Sequence, residues 1–219
     1  QDEPTLKEYY PARARENQRV YEKPERQADL RQLEALLPAL FAGRRLLDIA
    51  CGTGYWTQYL AREARTIVGV DATAETLEVA AEKPWPAARV SFRVADAYAL
   101  PDDLGDFDAA FAGFWWSHIL VRDRARFLQS LDRRLVPGAT VVLLDNLFIE
   151  GSSTPLDHRD PDGNTYQRRA LEDGTQHVVL KNFPSEAELR ADIDAFGHNM
   201  RFTRLQYYWL FIYEKHRAA

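Results

Sequence analysis

The feature that most constrains the fold is a glycine turn at the end of an apolar run, in residues 46–55 (LLDIACGTGY). The run has the length of a strand and is bounded by glycine, as in a buried strand of a parallel sheet. Gly52 and Gly54 lack a Cβ atom, so the backbone of the turn can approach a ligand closely. The segment therefore predicts a strand that leads into a ligand-binding turn, with Asp48 near the end of the strand.

Two more apolar runs end in carboxylates at the spacing of a nucleoside-binding fold. Asp71 closes the run TIVGVD, 19 positions after Gly52, and Asp96 closes the run VSFRVAD. A carboxylate about 20 residues beyond a glycine turn, at the tip of the neighbouring strand, can accept hydrogen bonds from ribose hydroxyls. The carboxyl ends of parallel strands share one edge of a sheet, so we expect Asp48, Asp71 and Asp96 to line one site.

Five segments, in order and in spacing, resemble the motifs of class I S-adenosylmethionine-dependent methyltransferases of the small-molecule type. They are LLDIACGTGYWT at 46–57, GVDAT at 69–73, VADAYALP at 94–101, FDAAFAGFWWSHI at 107–119 and LVPGATVVLLD at 135–145. The resemblance implies S-adenosylmethionine as cofactor and S-adenosylhomocysteine as product. It also implies an α/β fold: a Rossmann-like, seven-stranded mixed sheet of order 3-2-1-4-5-7-6, with the last strand antiparallel and helices on both faces.

The resemblance assigns cofactor contacts to individual positions along the predicted edge. Gly52 and Gly54 would lie against the methionine and ribose part, supported by Asp48. Asp71 would bind the ribose hydroxyls, and Asp96 the adenine amino group. The other implied contacts are Ala72 and Tyr98 beside adenine, the Ala97 amide, Phe114 near the methionine amino group, and Tyr10 and Arg13 in an N-terminal lid. The acidic residues could instead cap helices, and the N-terminal aromatics could simply cover the sheet edge.

A nicotinamide-dependent oxidoreductase is the competing interpretation of the glycine turn. The dinucleotide fingerprint needs a third glycine for close packing of helix on strand. Three residues beyond Gly54 this chain has Thr57, preceded by the bulky Tyr55 and Trp56. The turn therefore favours the methyltransferase.

Length and composition are typical of one soluble enzyme domain over residues 1–219. The chain is 46% hydrophobic and 28% charged, with a net charge of −5. This charge disfavours nucleic-acid partners, and no apolar stretch approaches the roughly 20 residues that cross a membrane. The single cysteine, Cys51, predicts a packing role in a reducing compartment. We expect a cytoplasmic enzyme with a small-molecule acceptor, and a homodimer is an open alternative to a monomer.

Four segments make up the predicted domain. Residues 1–43 form an N-terminal helical lid, in which leucines recur at helical spacing after Pro24, and residues 44–146 form the cofactor-binding core. Residues 150–184 are a polar, turn-rich insertion with a plausible hairpin, which could cap the acceptor or act as a dimer arm. Residues 185–219 predict a helix capped by Ser185 and a final pair of strands.

The acceptor side is less sharply predicted. His118, four residues after Phe114, is the candidate general base for a hydroxyl acceptor, because an imidazole titrates in the useful range. It could equally cap a helix or bond a backbone carbonyl. Further candidate substrate contacts are Trp115, Trp116, His158, Tyr166 and His177. The tryptophans could form an aromatic wall or pack in the core.

A metal is not expected. Asp145-Asn146 matches one half of a magnesium site of the catechol type, but the fourth-strand segment GFWW offers no carboxylate. The same segment departs from the pattern of nucleic-acid amine methyltransferases. A protein or RNA methyltransferase, or a cofactor-binding protein without transferase activity, remain alternatives to small-molecule methylation.

Overall fold

A computed structural model of the protein describes residues 20–86, 89–170 and 173–217. The α-helices in these ranges are α1 Gln27–Leu40, α2 Thr57–Leu60, α3 Ala74–Ala81, α4 Arg124–Asp132 and α5 Glu186–Ile193. The strands are β1 Arg45–Ile49, β2 Thr66–Asp71, β3 Val90–Val94, β4 Phe107–Gly113, β5 Leu135–Asn146, β6 Leu156–Arg159, β7 Thr165–Ala170, β8 Gln176–Leu180, β9 Gly197–Arg204 and β10 Tyr208–Lys215. None of the helices in these ranges is long and apolar enough to span a bilayer.

Seven strands form the main sheet, in the order β3-β2-β1-β4-β5-β10-β9. Neighbours among β1 to β5 pair in parallel, whereas β10 is antiparallel to both β5 and β9. Because β9 and β10 are the sixth and seventh strands of this sheet along the chain, the order is the predicted 3-2-1-4-5-7-6. The predicted fold class is confirmed, and the carboxyl ends of β1 to β5 share one edge.

Helix α1 follows the leucine pattern that predicted it. Leu30, Leu33 and Leu37 are fully buried and share a core cluster with Phe41. Leu36 is 39% exposed, because a single apolar stripe cannot turn every leucine inwards. This helix therefore anchors the N-terminal segment to one face of the sheet.

The segment before β5 differs from its prediction. The sequence of residues 122–135, followed by Pro137-Gly138, predicts a helix that ends at this proline and glycine, but α4 ends at Asp132 and β5 already begins at Leu135. The register with β4 jumps from Leu135 to Thr140, and Gly138 has a φ of +77°. Proline cannot donate to the ladder, so the extra residues protrude as a bulge in the strand.

The insertion forms a separate antiparallel sheet in the order β6-β7-β8. The hairpin predicted from its sequence is the β7–β8 pair, and β6 is an addition that its short polar sequence did not predict. Beyond the insertion, Ser185 caps α5 as predicted and accepts a hydrogen bond from the Glu188 amide at 3.1 Å.

Candidate functional site

The glycine turn links β1 to α2 at the carboxyl edge of the sheet. Gly52 and Gly54 have φ values of +57° and +83°, in the left-handed region that favours glycine. A Cβ atom at Gly52 would meet no atom within 4 Å, whereas one at Gly54 would lie 2.9 Å from the Trp85 ring. The open side of Gly52 therefore offers bare backbone to a ligand, and Gly54 is required by packing.

Asp71 ties this turn to the end of β2. Its Oδ2 accepts a hydrogen bond from the Gly52 amide at 3.1 Å, and its Oδ1 accepts one from the Thr73 amide at 3.0 Å. A carboxylate oxygen has two lone pairs, so each oxygen can still accept a hydrogen bond from a ligand hydroxyl. The structure thus holds Asp71 beside the turn, where ribose was predicted to bind.

Asp48 lies beneath the turn and away from solvent. It is 2% exposed, and its Oδ2 accepts a hydrogen bond from the Thr57 hydroxyl at 2.6 Å. Burial raises the pKa of Asp48 to about 7, against the lowering effect of Thr57 and with a smaller contribution from the Asp71 charge. Asp48 thus connects β1 to the start of α2, and its support of a cofactor-binding turn stays a prediction.

The adenine-side candidates lie in the loops after β2 and β3. Asp96 is exposed and accepts a hydrogen bond from the Tyr98 amide at 2.9 Å. Ala97 is buried and Ala72 is exposed. The Tyr98 ring contacts Trp115, with centroids 5.5 Å apart, and the Arg126 guanidinium lies over the Tyr98 ring, 4.4 Å from its centroid. These loops stand at the same edge as Asp71.

Phe114 belongs to an aromatic cluster at the end of β4. It has a φ of +58°, which is rare for a residue with a side chain, and its amide donates to the Leu144 carbonyl at 2.7 Å. Its ring lies 5.7 Å from Tyr21 and 6.2 Å from Trp56. The Phe114 amide is therefore engaged within the sheet, and the ring closes the site from the side of the N-terminal segment.

Tyr21 completes this cluster and was not singled out from the sequence. Its ring stacks on Tyr55 at 4.0 Å, and its hydroxyl accepts a hydrogen bond from Trp56 Nε1 at 3.1 Å. Burial raises the pKa of Tyr21 well above its ordinary value. The predicted lid contacts Tyr10 and Arg13 lie outside the described residues.

His118 lies in a one-turn 3-10 helix, Trp116–His118, directly after β4. Its Nδ1 is 3.0 Å from the Leu180 carbonyl of the insertion. Because a carbonyl can only accept, Nδ1 carries the proton and Nε2 is the unprotonated nitrogen. Burial and the Lys181 charge lower the pKa of His118 to about 4, although Asp145 and the Leu180 carbonyl act in the opposite direction.

A buried ion pair stands beside His118. Lys181 Nζ lies 3.2 Å from Asp145 Oδ1 and donates to the Ser117 hydroxyl at 2.9 Å. Asp145 also accepts hydrogen bonds from the Ser117 and Asn146 amides. Asp145 is thus committed to Lys181 and not presented as a metal ligand. The described residues contain no group of three or more histidine, cysteine or acidic side chains placed to hold a metal.

Sequence reasoning missed Lys181. It comes directly after a weakly patterned strand, 36 positions beyond its partner Asp145, and no motif marks it. The one sequence signal for such a partner was Asp145 itself, because a carboxylate on a central apolar strand is unusual without a cation beside it.

The two candidate tryptophans differ in burial. Trp116 is fully buried and packs against Phe127, with centroids 6.5 Å apart, so its predicted place in a substrate wall is wrong for this structure. Trp115 is half-buried between Tyr98 and Phe127. Of the two tryptophans, only Trp115 is partly exposed.

His158, Tyr166 and His177 are the candidates from the insertion. His158 is exposed, stacks on Tyr166 at 4.6 Å and approaches Asp157 through Nδ1 at 2.7 Å. His177 is exposed and lies 3.3 Å from the Thr175 hydroxyl. The Tyr166 hydroxyl donates to Asp160 at 3.1 Å. The structure does not bring these three residues to His118. His158 and Tyr166 pair on the face of β7 opposite to the buried Thr165 and Gln167, and His177, the partner of Arg169, lies near the exposed end of the hairpin.

A cavity of about 630 Å³ opens beside the aromatic cluster. Its lining residues are Tyr21, Glu22, Gln27, Arg31, Tyr55, Gln58 and Lys83. It reaches the turn through Tyr55 and does not include His118 or Asp71. The cavity therefore lies on the outer side of Tyr21 and is not the predicted reaction centre at His118.

Comparison with known proteins agrees with this geometry. Residues 46–138 match the family described as "Methyltransferase domain". A "2-phytyl-1,4-naphtoquinone methyltransferase" from Nostoc punctiforme is 37% identical over 110 residues, which are 48% of this chain and 47% of that protein. A "Demethylmenaquinone methyltransferase" from Lactiplantibacillus plantarum is 35% identical over 112 residues, 48% of this chain and 46% of that protein. This chain thus spans about half the length of the curated relatives it matches.

A solved structure covers nearly the whole chain. The "DhpI-SAM-HEP complex" superimposes with a TM-score of 0.73 at 27% identity, over 98% of this chain and all (100%) of that one. A superposition of this extent indicates that the two chains share one fold. The family match over residues 46–138, the curated methyltransferase relatives and this solved structure together support a class I S-adenosylmethionine-dependent methyltransferase.

Proposed function

We propose that this protein transfers the methyl group of S-adenosylmethionine to a small-molecule acceptor held between the carboxyl edge of the main sheet and the insertion. The observation that carries the proposal is the Asp71 carboxylate, bonded to the Gly52 amide beside an open stretch of backbone. These residues fit a ribose-bearing cofactor, because a carboxylate and a bare backbone are what ribose and its substituents require. When bound, the cofactor supplies an electrophilic methyl group on sulfur.

The chain's own residues would bind the cofactor, orient the acceptor and exclude water from the site. The backbone at Gly52 and the Asp71 carboxylate would hold the nucleoside, and the loop at Asp96 would flank its base. Phe114 and Tyr21 would exclude water from the side of the N-terminal segment. Exclusion of water and alignment of the acceptor are the main contributions a protein makes to such a displacement.

We infer that the insertion is a cap over the acceptor and not a dimer arm. The Asn182 amide donates to the Ser117 carbonyl at 2.8 Å, and the Val121 amide donates to Asn164 Oδ1 at 2.9 Å. Asn164 and Asn182 are themselves buried and bonded to each other at 3.0 Å. These bonds tie the base of the insertion to the loop after β4 of its own chain, directly above His118.

Calorimetric titration tests the cofactor. We expect S-adenosylmethionine and S-adenosylhomocysteine to bind with dissociation constants on the order of micromolar, and the nicotinamide dinucleotides to produce no binding heat. Release of S-adenosylhomocysteine in the presence of a panel of hydroxyl, carboxylic and amine compounds then tests transfer. Folded protein that binds neither sulfur ligand, or that prefers a dinucleotide, would refute the proposal.

His118 is the proposed general base when the methyl acceptor carries a hydroxyl or an amine. The Leu180 carbonyl fixes Nδ1 as the donor, so Nε2 would take the proton as the new bond to the methyl carbon forms. Because the pKa of His118 is lowered to about 4, its neutral form is present at neutral pH and is lost only as the pH falls through about 4. We therefore expect kcat/KM to show no inflection near pH 6.5 from this residue.

The matched variant for His118 is His118→Asn. The asparagine amide can still donate to the Leu180 carbonyl, while the basic nitrogen is removed. We expect kcat to fall by roughly 100-fold or more, in line with typical general-base contributions, with an unchanged Tm. If His118→Asn keeps most of the activity while His118→Ala unfolds more readily, the role of His118 is only to bond the carbonyl.

A further inference from the structure

A second cavity, of about 490 Å³, is lined by the end of α2 and by the segment that leads from α3 to β3. Its lining residues are Gln58, Ala61, Arg62, Lys83, Pro84, Trp85, Pro86 and Arg89. It shares Gln58 and Lys83 with the first cavity, and neither Asp71 nor His118 is among the described residues that line it. This Trp85 cavity is therefore distinct from the cofactor edge and from the proposed reaction centre.

Trp85 and its two flanking prolines form the apolar wall of the cavity. Trp85 Nε1 donates to the Ala80 carbonyl at 2.6 Å, and the indole packs against Phe92 with centroids 5.5 Å apart. The Arg89 amide donates to the Pro86 carbonyl at 2.8 Å. Proline also fixes its own φ angle, so the wall is held in place before any ligand arrives. A flat ring would pack on it at a low cost in ordering.

Three cations line the same cavity, and none of them has a carboxylate partner among the described residues. Arg62 is exposed and lies over the Tyr59 ring, 4.8 Å from its centroid. Arg89 Nη2 donates to the Ala61 carbonyl at 3.0 Å. The Lys83 ammonium makes no hydrogen bond or ion pair within the described ranges, and burial lowers its pKa. An anion could therefore bind these groups without displacing a carboxylate.

The acidic residues next in sequence do not pair with these cations. Glu63 follows Arg62 and Glu82 precedes Lys83, yet neither forms an ion pair with a described residue and neither lines the cavity. The lining that the structure describes contains no aspartate or glutamate. The chain as a whole has a net charge of −5, so the cavity is a local reversal of that charge.

We propose that the Trp85 cavity binds a small anion with a flat ring, which packs on Trp85 while its carboxylate or phosphoryl group meets the three cations. Guanidinium groups match the two-oxygen geometry of both oxyanions. A neutral ring would leave the cations without a counter-ion, and an anion without a ring would leave the apolar wall in water. The same indole packs on the glycine turn, since a Cβ atom at Gly54 would lie 2.9 Å from it. The site thus adjoins the turn and is not part of it.

Calorimetric titration with β-naphthoate and β-naphthyl phosphate tests the proposal. We expect at least one of these ring-bearing anions to bind saturably. The matched probes are β-naphthamide, which has the ring without the charge, and acetate and inorganic phosphate, which have the charge without the ring. Each should bind at least about tenfold more weakly, because one kind of contact is missing. Binding of the ester alone indicates a phosphoryl ligand, and binding of the naphthoate alone indicates a carboxylate.

Lys83→Gln and Arg62→Gln test where the anion binds. Each replaces a charge that has no carboxylate partner by a neutral polar group, so the Tm should stay close to that of the parent. Each should weaken the binding of the anion about tenfold, since a charge-assisted contact is lost. Arg65→Gln is the matched control, because Arg65 is exposed in the same segment as Arg62 and does not line the cavity. Its affinity should stay within about twofold of the parent.

Three results would overturn the proposal. The first is that neither ring-bearing anion binds, or that β-naphthamide binds equally well. The second is undiminished affinity in both Lys83→Gln and Arg62→Gln, which would place the anion at another site. The third is an equal loss in Arg65→Gln, because the effect would then be general screening. None of these results bears on the binding of S-adenosylmethionine, which is titrated separately.

Discussion

Asp71→Ala should lower the affinity for S-adenosylmethionine by at least about 100-fold, because two hydrogen bonds from ribose hydroxyls to a carboxylate are lost together. The substitution also removes the acceptor for the Gly52 and Thr73 amides, so the turn itself becomes less ordered. Calorimetric titration of parent and variant measures the effect directly. The Tm without ligand should fall only slightly, since Asp71 lies at the end of its strand and is not fully buried.

Asp108→Ala provides the control for this substitution. Asp108 also bonds a backbone amide, that of Arg45 at 2.7 Å, but at the start of β1 and near the start of β4, at the opposite edge of the sheet. Its removal should leave cofactor affinity within about twofold of the parent, by analogy with polar groups distant from a ligand. Equal losses in the two variants, or full binding by Asp71→Ala, would contradict the assigned site.

Lys181→Met should strongly destabilise the folded protein, because it leaves the Asp145 carboxylate buried and without its counter-ion. Breaking a buried ion pair from one side costs about 3–5 kcal/mol, which corresponds to a fall in Tm of roughly 10 °C for a domain of this size. Asp145→Asn should act similarly, since it leaves the Lys181 ammonium uncompensated. Thermal unfolding without ligand measures both.

The double variant Asp145→Asn/Lys181→Gln tests whether the cost is electrostatic. It removes both charges and keeps polar groups that can bond each other, so it should recover more than half of the Tm lost by either single variant. Arg93→Gln is the surface control: Arg93 pairs with Asp103 at 2.7 Å, yet both side chains are well exposed, and Tm should change by less than about 2 °C. A double variant as unstable as the singles would show that geometry, and not charge, holds this region.

The predictions from local pattern proved reliable for the cofactor side of the fold. The strands β1 to β4, the glycine turn and the cap of α5 follow from apolar runs, glycine placement and a capping residue, which are all properties of short segments. The strand order and the antiparallel last strand were implied by the resemblance of the five motifs to the methyltransferases. The position of Asp71 at the glycine turn follows in the same way, because the order of adjacent parallel strands brings their ends together. The bulge at Pro137-Gly138 was misread because proline and glycine also end helices.

The side-chain contacts around the end of β4 and the N-terminal segment could not be predicted in the same way, because their members come from distant parts of the chain. Trp115 and Trp116 are chemically alike, and only the packing of β4 against Phe127 decides that Trp116 is buried. Tyr21 reaches Trp56 across 35 positions, and Arg26 reaches Asn146 across 120. No sequence window contains both members of such a pair.

The sequence by itself determined the resemblance to methyltransferases, through it the sheet topology, and the edge at which Asp71 meets the glycine turn, since each depends on motifs whose residues act within one strand, turn or helix end. Only the tertiary structure decided which side chains meet beyond the end of β4: His118 facing the Leu180 carbonyl, and Asp145 paired with Lys181. The physical reason is that burial and charge pairing depend on distances in space, which a central strand and an insertion 36 positions away acquire only when the chain has folded.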